Sequence, residues 1–166
     1  QIIKLDRSAG DARTHILAAH ARLELAENRL VAFRRIRLVK PLQKSLASKL
    51  REMKLALKAF DAAIDYGIAA VTSAATYHIA GMYDELSQEL RASERPGNLG
   101  VEELAQYELL LEEQAAPFEQ QAIELYASNV RRTSGGQFDR WTEKSQQRLD
   151  VLWPGRIKGL NTNADP

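Results

Sequence analysis

Leu42–Gly67, LQKSLASKLREMKLALKAFDAAIDYG, is the stretch on which the fold is decided. Its apolar residues Leu42, Leu46, Leu50, Met53, Leu57, Phe60 and Ile64 recur at intervals of three and four. That spacing lays one apolar stripe along an α-helix and is incompatible with the alternation of a strand. At ~1.5 Å per residue such a helix is roughly 40 Å long. Gly67 is a natural left-handed terminator, and Pro41 bars continuation from the N-terminal side. The expected helix covers residues 42–66.

The same punctuation divides the rest of the chain. Upstream, residues 11–39 carry Ile16, Leu23 and Leu30 every seven residues, interleaved with Ala19, Ala26 and Phe33. This narrow apolar seam is of coiled-coil type and could dock a second copy or another helix. Downstream, a helix over 68–92 has Val71, Ala75, Ile79, Met82, Leu86 and Leu90 on one face, and small residues crowd its first half. SERPGNLG (93–100) reads as a loop. A fourth helix over 101–133 repeats Leu104, Leu111, Phe118 and Leu125, with Pro117 expected to kink or split it. A fifth helix covers 138–153 with Phe138, Trp141, Leu149 and Leu152 apolar, and residues 155–166 read as a flexible tail. No window alternates like a strand. The expected fold is all-α, an antiparallel helical array of five to six helices in a single domain, with long first and second helices.

Composition bounds the chemistry. The 166 residues contain no cysteine, which removes disulfides, thiolate nucleophiles and zinc–thiolate sites. No run approaches the ~18 apolar residues of a membrane span. The opening Gln1-Ile2-Ile3-Lys4 lacks the core and cleavage site of a signal peptide, and a chain starting without Met is expected to be a fragment or processed form. The net charge of +1 hides strong segregation. Residues 1–60 hold 14 basic against 5 acidic side chains, whereas residues 61–130 hold 2 against 13. Such asymmetry serves partner steering or mutual neutralisation of neighbouring helices.

Ala122–Pro154 is 33 residues long, close to the roughly 34 of a tetratricopeptide repeat. Tyr126 stands at its bulky early position, SGGQFD (134–139) resembles its turn, and Leu149 and Pro154 fit its close. Val130 and Thr142 depart from the small residues usual there. LKAFDAAIDYG (57–67) followed by AATYHIAGMYDEL (74–86) is a weaker echo, lacking the short turn. More broadly, KPLQKSLASKL (40–50), AIDYGIAAVTSAATYHIAGMYDELSQELRASERP (63–96), YELLLEEQAAPFEQQAIELY (107–126) and NVRRTSGGQFDRW (129–141) resemble the C-terminal region of large bacterial tetratricopeptide proteins of the cell envelope. Those proteins accompany Tol/Ton-type and gliding-motility-like systems. The resemblance implies a TPR-like α-solenoid, protein–protein scaffolding at the periplasmic or envelope side, and no catalytic residues.

Two groups are candidate partner-binding residues. Arg34, Arg35, Arg37, Lys40 and Lys44 form a basic cluster near the first bend, and Lys49, Arg51, Lys54 and Lys58 extend it along the second helix. Tyr77, Tyr126, Asn129 and Arg132 are candidates for lining a peptide groove, whereas Tyr66 and Tyr83 are expected to serve packing. A basic patch can also hold nucleic acid or an anionic membrane surface. Here only Phe33 interleaves it, and the acidic block repels phosphates. The first alternative to a scaffold, ahead of the nucleic-acid or membrane-surface binder, is a helical bundle binding a metal or small ligand through Glu108, Glu112, Glu119, Glu124 and the histidines 15, 20 and 78. Such a site needs Glu-x-x-His on two helices, and no histidine here has Glu three residues before it. No nucleophile elbow, phosphate loop or His-Glu-x-x-His occurs. The expectation is therefore a scaffold without cofactor or metal.

Overall fold

The computed structural model describes residues 11–136 and 138–154, and the expected tail at 155–166 lies outside them. The described residues form five α-helices and no strands: α1 Ala12–Arg35, α2 Leu42–Ile64, α3 Ala69–Arg91, α4 Val101–Arg131 and α5 Arg140–Leu152. A 3₁₀ turn, Arg132–Gly135, links α4 towards α5. The chain is an all-α helical array.

Side-chain contacts fix the directions of the helices. His15 Nε2, at the start of α1, meets the carbonyl of Tyr66 just past α2 at 3.0 Å. Lys49, early in α2, bonds Glu89, late in α3, at 2.8 Å. Asn129, near the end of α4, reaches the carbonyl of Ser73 at 3.0 Å. Asp139, which caps α5, accepts from Ser73 as well. The helices therefore run alternately up and down, and α3 packs against all four others.

The helix limits have local causes. Asp139 Oδ1 caps α5 by accepting the N–H groups of Trp141 and Thr142 at 2.8 and 3.0 Å. Gly100 N–H donates to Glu103 at 2.8 Å where α4 begins. Gly67 and Gly136 take the left-handed conformation, with φ of 67° and 83°, where α2 and the 3₁₀ turn end. α1 stops at Arg35, four residues short of the expected Val39. Residue 40 is pushed towards extended backbone by Pro41, and the extended stretch reaches back to Ile36. Pro117 does not split α4, which runs unbroken from Val101 to Arg131. Pro117 lies on the exposed side, so water can take the carbonyl freed by its missing donor.

The α1 seam is spent inside the molecule. Ala19, Leu23, Ala26, Leu30 and Phe33 join the core with Met53, Phe60, Val71, Met82, Leu86 and Leu90. Ile16 is 45% exposed instead, and so is Phe138, at 76%. In α2 the expected core residue Leu50 lies at the surface while Lys49 is fully buried. The Lys49 ammonium donates to the carbonyl of Ile36 at 2.8 Å and lies 4.2 Å from the centre of the Phe33 ring. It thus satisfies backbone left open where α1 ends.

Candidate functional site

The basic cluster divides. The Arg34 guanidinium forks onto Glu85, its Nε lying 2.9 and 3.0 Å from the two carboxylate oxygens. Lys40 pairs with Glu94 at 3.4 Å. Together with Lys49–Glu89 these contacts tie the basic first part of the chain to acidic residues of α3 and of the loop that follows it. Arg35 and Arg37 are exposed and have no ion pair among the described residues.

Arg34 also borders a polar groove of about 230 Å³, which α3 floors. Tyr77, Gly81, Asp84 and Gln88 follow at intervals of three and four along one side of α3 and so share the groove. Tyr126 enters from α4 and Arg148 from α5. Arg148 grips Asp84 through two bonds of 2.6 and 3.1 Å. Both guanidiniums are held charged by these carboxylates. Gly81 leaves the floor bare: a Cβ there would approach the Tyr126 hydroxyl to 3.7 Å. Tyr126 is 2% exposed, yet its hydroxyl has no hydrogen bond among the described residues. Burial, reinforced by the Asp84 charge, raises its pKa and keeps it a proton donor.

His78 stands beside the groove, stacked on Phe60 at 5.6 Å and edge-on to Trp141 at 4.8 Å. Burial first, and then the positive charges of Arg34 and Lys144, depress its pKa to about 4. The Glu27 carboxylate at 3.3 Å favours the imidazolium, but makes no hydrogen bond to Nε2 and is outweighed. His78 is therefore neutral at pH 7. Tyr77 leans on Trp141 at 5.2 Å and on Tyr126 at 5.8 Å, giving the groove an aromatic wall.

Of the eight residues singled out in the sequence, Arg34, Tyr77 and Tyr126 converge here. Asn129 does not. It is fully buried, donating to the Ser73 carbonyl and to Ser145 Oγ at 3.0 and 2.9 Å, and so ties α3, α4 and α5 together. Arg132 sits at the end of α4, partly buried, outside the groove lining. Gly81, Asp84, Glu85, Gln88 and Arg148 were missed, and His78 was considered only as a metal or small-ligand contact. The polar stripe through 77, 81, 84 and 88 was the available signal on an otherwise small-residue helix.

A second concavity, of about 330 Å³, is largely apolar and lies between Pro41, Leu42 and Leu46 of the α2 end and Tyr107, Leu110 and Leu111 of α4. Three of the candidate metal-ligating glutamates are engaged in ion pairs: Arg91 spans Glu112 and Glu119, and Arg95 lies 3.6 Å from Glu108. Among the described residues no three His, Asp or Glu side chains are grouped to hold an ion. No described helix is long and apolar enough to cross a membrane. No family model, curated protein or solved structure matches the chain.

Proposed function

We propose that this chain is a TPR-like protein-interaction module, a scaffold of a bacterial envelope assembly that holds a partner rather than transforming a substrate. The carrying observation is the α3 groove itself, where Tyr77, Tyr126 and the guanidiniums of Arg34 and Arg148 line one polar concavity. A partner segment accepts from the Tyr126 hydroxyl, which opens into the groove. The Nη1 groups of Arg34 and Arg148, not used in their carboxylate forks, offer further donors. Tyr77 gives a flat apolar wall, and the exposed Arg35 and Arg37 orient an acidic approach. The envelope assignment rests on the sequence resemblance alone.

Capture from bacterial envelope extract tests the proposal. A partner held by the native chain is expected to be lost with Gly81→Gln, which fills the groove, and weakened by Arg35→Glu/Arg37→Glu. Arg34 is unsuitable for charge reversal because Glu85 would lose its counter-ion. A partner retained equally by both variants, or stoichiometric metal in the purified protein, overturns the reading.

A further inference from the structure

No residue of α2 lines the groove. On the outward side of this helix Lys44, Arg51 and Lys58 recur every seven residues, with Lys54 between them. Helical geometry puts these four opposite the buried row of Met53, Ala56, Phe60 and Ala63. All four cations are exposed, and none has an ion pair among the described residues. Aliphatic side chains flank the stripe, Leu50 being 37% and Leu55 42% exposed. At the corner where α1 gives way to α2, Val39 is 54% exposed. It shares a hollow of about 270 Å³ with Ile36, Pro41, Lys40 and Lys44. Glu52, the one acidic residue between Arg34 and Phe60, sits half-buried off the stripe.

We infer that the outward face of α2 docks the chain on an anionic phospholipid membrane. Part of the acidic block that would oppose this is consumed internally. Glu85, Glu89 and Glu94 take up Arg34, Lys49 and Lys40, and Glu112 and Glu119 share Arg91. The α2 stripe is the basic charge left over. From Lys44 to Lys58 it spans roughly 20 Å of helix. Laid along a lipid surface, each of its cations gains from the negative surface potential. Leu50, Leu55 and Val39 then enter the boundary between headgroups and acyl chains. Cations and aliphatics sharing one face distinguish a lipid surface from other polyanions. Single-stranded nucleic acid is held by base stacking as well as by charge, and both aromatic residues of this region, Phe33 and Phe60, are fully buried. The exposed Asp61 and Asp65 continue the stripe towards Gly67 and are repelled by the same surface. The docked helix is therefore tilted, with the Pro41 corner against the lipid and the Gly67 end raised.

Co-sedimentation with vesicles tests the inference, using the full chain and phosphatidylcholine vesicles with and without phosphatidylglycerol, with helicity checked by circular dichroism. The native chain is expected to bind the phosphatidylglycerol vesicles, to bind pure phosphatidylcholine far less, and to be released as salt is raised. Lys54→Gln is expected to weaken binding about fivefold, and Lys44→Gln/Arg51→Gln/Lys54→Gln/Lys58→Gln to abolish it. Leu50→Ser/Leu55→Ser, which leaves the charge unchanged, is expected to weaken it severalfold. Arg131→Gln, at an exposed cation ending α4, is expected to leave it as it is. A native chain that ignores phosphatidylglycerol vesicles, or binds both vesicle types equally, overturns the inference. So does binding retained by the four-site variant or lost equally with Arg131→Gln. Vesicle binding indifferent to Leu50→Ser/Leu55→Ser, or weaker than binding to a single-stranded oligonucleotide, would assign the stripe to polyanions at large and overturn it too. None of the substituted residues lines the groove, so partner capture is decided separately.

Discussion

α3 and the first half of α4 are both long helical stretches, yet they live in different surroundings. In α3 every residue from Val71 to Thr76 is buried, a run of six that no single-sided helix can show. From Val101 to Gln114 in α4 only Leu111 is buried, although Leu109 and Leu110 stand beside it. Residue size accounts for the contrast. Ser73, Ala74, Ala75 and Ala80 keep α3 slender, so neighbours approach from several sides. The α4 stretch touches the array with one edge and shows the rest to solvent. Helix formation is set by the local sequence; the number of covered sides is set by the neighbours.

The sharpest test of this contrast is a pair of identical truncations. Leu86→Ala in α3, at a fully buried site, is expected to cost about 3 kcal/mol in urea denaturation, whereas Leu109→Ala is expected to stay within about 0.5 kcal/mol. Equal costs would break the comparison. Lys49→Met comes next. It removes the cation joining the α1 terminus to Glu89 and is expected to destabilise by about 2–3 kcal/mol, since the carbonyl of Ile36 and the Glu89 carboxylate lose their partner. A neutral outcome would mean that α3 is anchored by packing alone.

Acid should act on α3 through His78. Its folded pKa of about 4 lies below the ordinary value of 6.5, so between these pH values the unfolded chain binds a proton that the folded chain refuses. Its contribution is therefore intact above about pH 6.5 and lost as pH falls towards 4. Allowing for partial solvent screening, the loss is on the order of 2 kcal/mol. His78→Gln is expected to flatten that limb of the stability–pH curve; an unchanged slope would place the titration elsewhere. The smallest effect is a gain. Gly81→Ala puts a methyl at ordinary contact distance from Tyr126 and restores helix propensity, for an expected stabilisation of about 0.5–1 kcal/mol.

Much of the fold was legible in single residues. Pro41, Gly67, the 93–100 loop and Gly135-Gly136 set the helix ends to within a few positions, because backbone restrictions act locally. The end of α1 was misplaced because apolar residues 36, 38 and 39 continue a helical pattern while Pro41 imposes extended backbone ahead of it. Lys49, expected to extend the basic patch along the second helix, is buried instead, and for a different reason. Its burial depends on the open carbonyls of another helix, which no pattern within α2 encodes. The groove was half legible. Arg34, Tyr77 and Tyr126 could be picked out as polar or aromatic residues on helix faces. Their meeting with Asp84 and Arg148 depends on which helices adjoin α3, and Asn129 was mistaken for a groove residue because burial of an amide between three helices leaves no periodic trace.

Hydrogen exchange on the native chain tests most directly whether α3 is the rigid base on which the groove is built. Amides from Val71 to Leu90 are expected to exchange only through global unfolding, while those from Leu104 to Gln114 exchange through local opening and are markedly faster. Uniform protection across the two stretches, or faster exchange in α3, would contradict it.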